Sequence, residues 1–432
     1  MSQPLDGLSI FERGTLPRWV KVRQQLNSVE VRDVAAATAV EFQRADINST
    51  ITPGMKVALT AGSRGIDRIA EVIRAAAVEV RRLGAEPFVV PAMGSHGGAT
   101  AAGQTALLAH YGVTEDGVGC PIKASMDTVL LGKVENDTPV YFDRIAYEQA
   151  DAVIPIGRVK PHTDFHGPIE SGLMKMIAIG LGKQKGAEHF HWRGFPEFHH
   201  LIPTVARFTL SHVNIPFGIA LVENGYGHLS LIEAVPGNRI WEREQELLRI
   251  ARERLARLPG ERIDVLLIDE IGKDISGDGA DPNVINRDIA GQLSVSELVL
   301  KPTVQRIVVR DLTKDTEGNA TGIGLADFGL RRAIDKIDPI STYMNCITSK
   351  SPAAAAVPIM VDTDRQALFL AINSCLQTEV EQARVVRIKN TKDLEEFWAT
   401  EPVLPEMLAS GRVELLGEPH EIPFDSAGML AE

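Results

Sequence analysis

Cysteine is scarce: Cys120, Cys346 and Cys375 are the only three in a chain of 432 residues. An odd number with no close spacing supports neither a disulfide framework nor a thiolate metal site, and free thiols in a reducing compartment fit better. Long apolar runs are also missing. No stretch approaches the ~20 apolar residues that cross a bilayer, and one of the greasier runs, at 173–181, is broken by Lys175 and Gly180. The opening letters MSQPLDGLSIFERG show neither the basic nor the apolar region of a secretory signal. Basic charge is in deficit, with 45 Lys and Arg against 57 Asp and Glu, for a net charge of −12. The basic residues are interleaved with acids, so the basic face expected of a nucleic-acid binder is lacking. An acidic balance of this kind mostly serves solubility. The expectation is a cytoplasmic protein with neither nucleic-acid nor membrane partners. Internal repeats and low-complexity tracts are absent as well.

What is present is ample material for a core. Hydrophobic residues make up 44% and charged residues 24%, the ordinary balance of a globular protein. The length exceeds the ~250–300 residues at which a single core stops growing, so two domains are expected. Strand and helix patterns alternate. KVALT at 56–60 enters a glycine-bounded turn, and a helix follows over 66–83 with Ile66, Ile69, Ala70, Ile73, Ala77 and Val80 on one face. PFVVP at 87–91 then enters a second glycine-rich turn and a helix from about 99. Further strands are expected at 152–156, 218–222, 265–268, 306–309 and 385–388. A long helix at 239–258 stops at Pro259-Gly260. The fold class expected is α/β: two domains with Rossmann-like, mostly parallel sheets and the active site in the cleft between them. Residues 1–260 form the first domain and 261–391 the second. The tail, helical around 394–398, is expected to pack back on the first domain over 400–432.

Ligands of open α/β sheets bind beyond the carboxyl ends of the strands, and that rule selects three loops. GSRG at 62–65 offers Arg64 to a carboxylate or phosphate at a helix start; a solvated turn arginine fits those letters equally well. GSHGG at 94–98 sets His96 among glycines, where backbone can approach a ligand and an imidazole can move protons; the plainer reading is a capping histidine. The third loop begins GRVKPHTDFHGPIESGLMKM at 157 and continues through GLGKQKGAEHFHW to 192. Between positions 162 and 200 it gathers His162, His166, His189, His191, His199 and His200, six of the chain's 11 histidines. His189 and His191 share a side only if their segment is extended and diverge on a helix. His162, His166 and one of the later pair would make a three-imidazole zinc site, which keeps a zinc-dependent hydrolase open as an alternative. His199 and His200 read as a surface turn.

The string RVKPHTDFHGPIESGLMKMIAIGLGKQKGAEHFH resembles the signature region of the nickel-dependent lactate racemase family and its relatives. GSRG and MGSHGGAT resemble that family's two earlier loops. KDISGDGADPNVINR and GIGLADFGLRR are similar to segments of a subgroup of these relatives, so the resemblance spans nearly the whole chain. It implies a racemase or epimerase of a 2-hydroxy acid, an isomerase. Its cofactor would be a nickel-pincer nucleotide, a pyridinium mononucleotide with two sulfur-bearing arms (pyridinium-3-thioamide-5-thiocarboxylic acid mononucleotide). One arm would be covalently linked to Lys175. Nickel would be held by two sulfurs, a ring carbon and one imidazole, His191, sixteen residues after Lys175, with His189 as the fallback. A four-donor set of this softness suits square-planar nickel(II).

The same resemblance implies His96 and His162 as paired acid/bases, with His166 as the fallback for the second. Inverting a hydroxy-acid centre through a flat keto acid calls for a base on each side. Arg64 would hold the substrate carboxylate or the cofactor phosphate. The family's aspartate three residues before this arginine is replaced here by Ala61. Its amide and lysine from the second domain correspond to Asn286 and Ile289, so Arg287 and Lys273 are the candidates for the missing charge. These departures touch the substrate rather than the tether, which points to a hydroxy acid larger or more polar than lactate, such as a malate-like or sugar acid. The partners expected are that small molecule, the proteins that assemble the cofactor and, in a homo-oligomer, further copies of the chain.

Overall fold

A computed structural model describes residues 6–63, 65–287 and 301–431. The site candidate Arg64 and the substrate-side position Ile289 lie outside the described residues. Among those described, the strands in chain order are β1 (Trp19–Gln24), β2 (Lys56–Ala61), β3 (Glu86–Pro91), β4 (Thr128–Val134), β5 (Thr138–Asp143), β6 (Ala152–Ile154), β7 (Ile156–Arg158), β8 (Phe217–Glu223), β9 (Leu229–Pro236), β10 (Arg262–Ile268), β11 (Thr303–Val309), β12 (Phe328–Leu330), β13 (Ile359–Val361), β14 (Val385–Ile388), β15 (Glu396–Thr400) and β16 (Val413–Leu415). With the helices between them they make an α/β protein of two units, one Asn27–Leu255, the other Met1–Leu26 together with Ala256–Glu432.

In the unit Asn27–Leu255, β3, β2 and β6 form a parallel sheet in that order, and β7, β8 and β9 form a second in which only β9 runs antiparallel. Pro155 separates β6 from β7; the Thr60 hydroxyl accepts the Ile156 N–H at 2.9 Å and keeps β7 beside β2. The strands are apolar on both faces because both faces are covered. Val57, Leu59 and Val89 belong to one core cluster, and Ala58, Phe88 and Val90 to the other. The amphipathic stripe read from the sequence becomes the helix Ile69–Arg82, with Ile69, Ile73, Ala77 and Val80 buried.

The other unit is built on one eight-stranded sheet, β13-β12-β11-β10-β14-β15-β1-β16. Pairing is parallel from β13 to β14 and antiparallel from β15 onward. Here the division expected from the sequence is corrected. β1 lies between β15 and β16, with Trp19 opposite Thr400 and Val22 opposite Leu415. The first 26 residues and the tail therefore belong with the C-terminal half rather than with the first domain. Part of the segment 394–398, expected to be helical, is the start of β15. Phe397 and Ala399 point into one core cluster and Trp398 against the other, the period-two alternation of a strand.

Candidate active site

The long third loop is short in space because its ends pair. The Lys160 N–H donates to Ser171 O at 3.1 Å, and the Ser171 N–H to Lys160 O at 3.2 Å. Within the closed loop sits the Glu170 carboxylate, fully buried. It accepts the His162 N–H at 2.5 Å and the Gly167 N–H at 3.2 Å, lies 3.3 Å from His166 Nδ1, and takes a hydrogen bond from the Arg252 guanidinium. One anion thus organises most of the loop. Nothing in the letters PIES singled it out.

The chain then turns helical, which corrects the reading of this stretch as continuous loop. A turn at Leu173–Lys175 runs into a wider π turn at Met176–Gly180, and the helix Lys183–Arg193 follows. Such π turns recur at functional sites. Lys175 projects from the start of this segment, and its Nζ meets the Nε2 of His162. The Asp164 N–H donates to His162 Nδ1 at 3.0 Å. The Asp164 carboxylate also lies 3.4 Å from His162 Nδ1, so the ring is held from one side by Asp164 and meets the lysine amine on the other. Phe165 packs with its ring 4.4 Å from the His162 ring, the planes tilted by 33°, and the Lys175 amine lies 5.8 Å from the same phenyl ring.

Because 189 and 191 lie on a helix, their side chains diverge. His189 stacks on Tyr141, centroids 6.0 Å apart. His191 packs on Phe195 at 5.8 Å and Phe198 at 5.7 Å. Phe195 is also 6.3 Å from His162. His191, rather than His189, therefore shares the aromatic neighbour Phe195 with His162. His199 and His200, read as a surface turn, lie on the helix Phe198–Leu210. His200 meets Glu135 at 2.8 Å on the surface.

The His96 loop rests directly on the π turn. The Gly94 N–H donates to Gly180 O at 3.2 Å, and a side chain at Gly180 would strike Ala92 O at 2.6 Å. Gln104 holds the loop from below, donating to Gly94 O at 3.0 Å and His96 O at 3.2 Å. His96 Nδ1 lies 2.9 Å from Met93 O. A carbonyl only accepts, so Nδ1 carries the hydrogen and Nε2 is the basic nitrogen of the neutral ring.

Sequence reading passed over Lys183. It is completely buried, adopts φ +55°, pairs with the buried Asp143 at 2.7 Å and donates to Pro91 O at the end of β3. It joins the start of the His191 helix to the strand that delivers the His96 loop.

The remaining candidates lie in the other unit. Lys273 Nζ donates to Gly277 O at 2.6 Å. Asn286, at φ 51°, donates to Pro302 O at 2.7 Å. Arg287 reaches Asp327 at 2.6 Å and the carbonyls of Leu325 and Gln305 at 2.9 Å each, an arrangement that ties β11 to the residues before β12. Among the described residues, no group of three or more His, Cys, Asp or Glu side chains is placed to hold a metal ion. The three-imidazole arrangement of a zinc hydrolase is therefore not assembled: His162 faces Lys175, and His166 faces Glu170.

The fold and site define a two-unit α/β protein with a lysine–histidine pair behind strand carboxyl ends. No family model matches the chain, and no curated protein matches it in sequence. Among solved structures, similar chains include a Thermotoga maritima structural-genomics protein, 12% identical, with a TM-score of 0.48 over 77% of this chain and 85% of that one. They also include the lactate racemase apoprotein from Thermoanaerobacterium thermosaccharolyticum, 12% identical, with a TM-score of 0.47 over 87% of this chain and 89% of that one. Likeness at this distance assigns no activity. Among the described residues no helix is long and apolar enough to cross a membrane.

Proposed function

We propose that the chain is a racemase or epimerase of a 2-hydroxy acid that works with a nickel-pincer nucleotide bound covalently to Lys175. The observation that carries this reading is the meeting of Lys175 Nζ with His162 Nε2 beside the aromatic group that also surrounds His191. The residues fit the cofactor. Attachment needs an unprotonated amine, and Lys175 lies beside an imidazole able to take its proton. A metal held mainly by the cofactor's own atoms needs one protein imidazole, and His191 supplies one without a surrounding cluster of protein ligands.

The bound group would supply a hydride acceptor for the substrate's C2, chemistry that no side chain provides. The chain supplies the proton handling. His96, basic at Nε2, takes the hydroxyl proton of one enantiomer; His162 returns a proton on the opposite side. Reversal of the reaction exchanges the roles. Phe165, Phe195 and Phe198 exclude water from the lysine and from His191. Arg64 is the proposed partner of the carboxylate or phosphate. Lys273, Asn286 and Arg287 are the proposed substrate-side residues, and Ala61 at the position of the family's aspartate leaves room for a substrate larger or more polar than lactate. Metal analysis together with peptide mass spectrometry tests the reading: nickel and added mass on Lys175 support it, and zinc with an unmodified Lys175 overturns it.

A further inference from the structure

The helix Ile240–Arg254 packs against the turn Leu173–Lys175, and it presents there a charged side chain that the mechanism does not use. Glu244 is 1% exposed. Its Oε2 accepts the Met174 N–H at 3.0 Å, and its Oε1 has no hydrogen-bond partner among the described residues. It also lies against the backbone of Gly172. A Cβ on Gly172 would stand 2.5 Å from Oε1, so any larger residue before the lysine turn would have to displace this carboxyl. Among the described residues no cation is paired with it. The charged groups on the elements packed against its helix are Lys175, Glu223 on β8, Glu233 on β9 and Arg239 in the turn Gly237–Arg239. The first three engage His162, Arg158 and Arg243. Burial pushes the Glu244 carboxyl up to about 7, opposed only by the Met174 and Leu173 amides.

We infer that Glu244 is a positioning residue for Lys175: its carboxylate caps the first turn of the lysine-bearing segment, and its protonation state sets how firmly that turn is held. The geometry supplies the physical link. The amides at a helix start favour an anion, whereas burial without a cation favours the neutral acid. The two effects oppose one another on a group one residue from Lys175 in backbone terms, so the balance shifts near neutral pH. The inference rests on the reading of Lys175 as the attachment point only for its consequence, not for its test.

The test is hydrogen exchange of the full-length protein, read on peptides covering 172–180 and corrected for intrinsic exchange. In the wild type, local openings that break the Met174 hydrogen bond while Glu244 stays buried should become roughly tenfold rarer on going from about pH 6 to about pH 8, the effect of a stronger hydrogen bond to a charged acceptor, even as global stability falls. Glu244→Gln, which has the same shape and no titration, should show a flat profile. A flat wild-type profile overturns the inference even if the variant fails to fold, and so does a Glu244→Gln profile that tracks the wild type. An unmodified Lys175 in the native protein would sink the cofactor reading and leave this exchange result untouched, so the two failures are distinguishable.

Discussion

The amine of Lys175 meets the imidazole Nε2 of His162, 13 positions earlier in the chain. The contact places an amine and an imidazole side by side in an aromatic setting, and it requires the loop between them to be fixed.

If Lys175 carries the cofactor, Lys175→Ala abolishes both added mass and nickel binding, and Lys175→Arg does the same because a guanidinium is no acylation nucleophile. His191→Ala instead retains the mass and loses nickel. Intact-mass measurement alongside metal analysis separates the three variants.

His96→Asn and His162→Asn should each lower kcat by about 10²–10⁴-fold, the usual worth of a positioned acid or base. With a substrate deuterated at C2, the inverted product should keep its deuterium, since hydride passes to and from the cofactor without reaching water. Deuterium washing into solvent would indicate a carbanion route and remove the role given to the nickel group.

Glu170 is buried and holds two loop amides and Arg252. Removing one partner of a buried pair leaves the other uncompensated, at about 3–5 kcal/mol. Arg252→Ala should therefore destabilise the unit by about that much in denaturant titrations, with Glu170→Ala similar. The Lys183–Asp143 pair predicts the same for Lys183→Met, and Lys183→Met with Asp143→Leu should recover part of the loss.

Glu244 gives stability a pH dependence whose sign follows from its raised value. The unfolded carboxyl loses its proton near 4.5 and the folded one near about 7. Between those values the native state binds more protons, so stability falls as pH rises through the window and levels off above it. The loss is at most about 3 kcal/mol. Melting curves of Glu244→Gln should lack that slope.

Much of this was legible in the sequence where local pattern decides structure. The stripe Ile69, Ile73, Ala77, Val80 gave its helix, and glycines around His96 marked a loop that packs backbone against backbone. The tail was not legible: Glu396, Phe397 and Trp398 carry letters that suit either state, and their pairing with β1 depends on residues more than 370 positions away. Lys183 escaped because it starts a helix while its partner Asp143 ends β5, far back in the chain. Glu244 left a usable signal. It occupies the stripe of Ile240, Leu247, Leu248 and Ala251, all buried, so its helical spacing marked an inward carboxyl among otherwise solvated charges.

The central claim is tested most directly by mass spectrometry of the peptide carrying Lys175, taken from protein purified from its native source. The account predicts a peptide heavier by a sulfur-containing pyridinium nucleotide attached at Lys175. An unmodified Lys175 in active, native protein would contradict it.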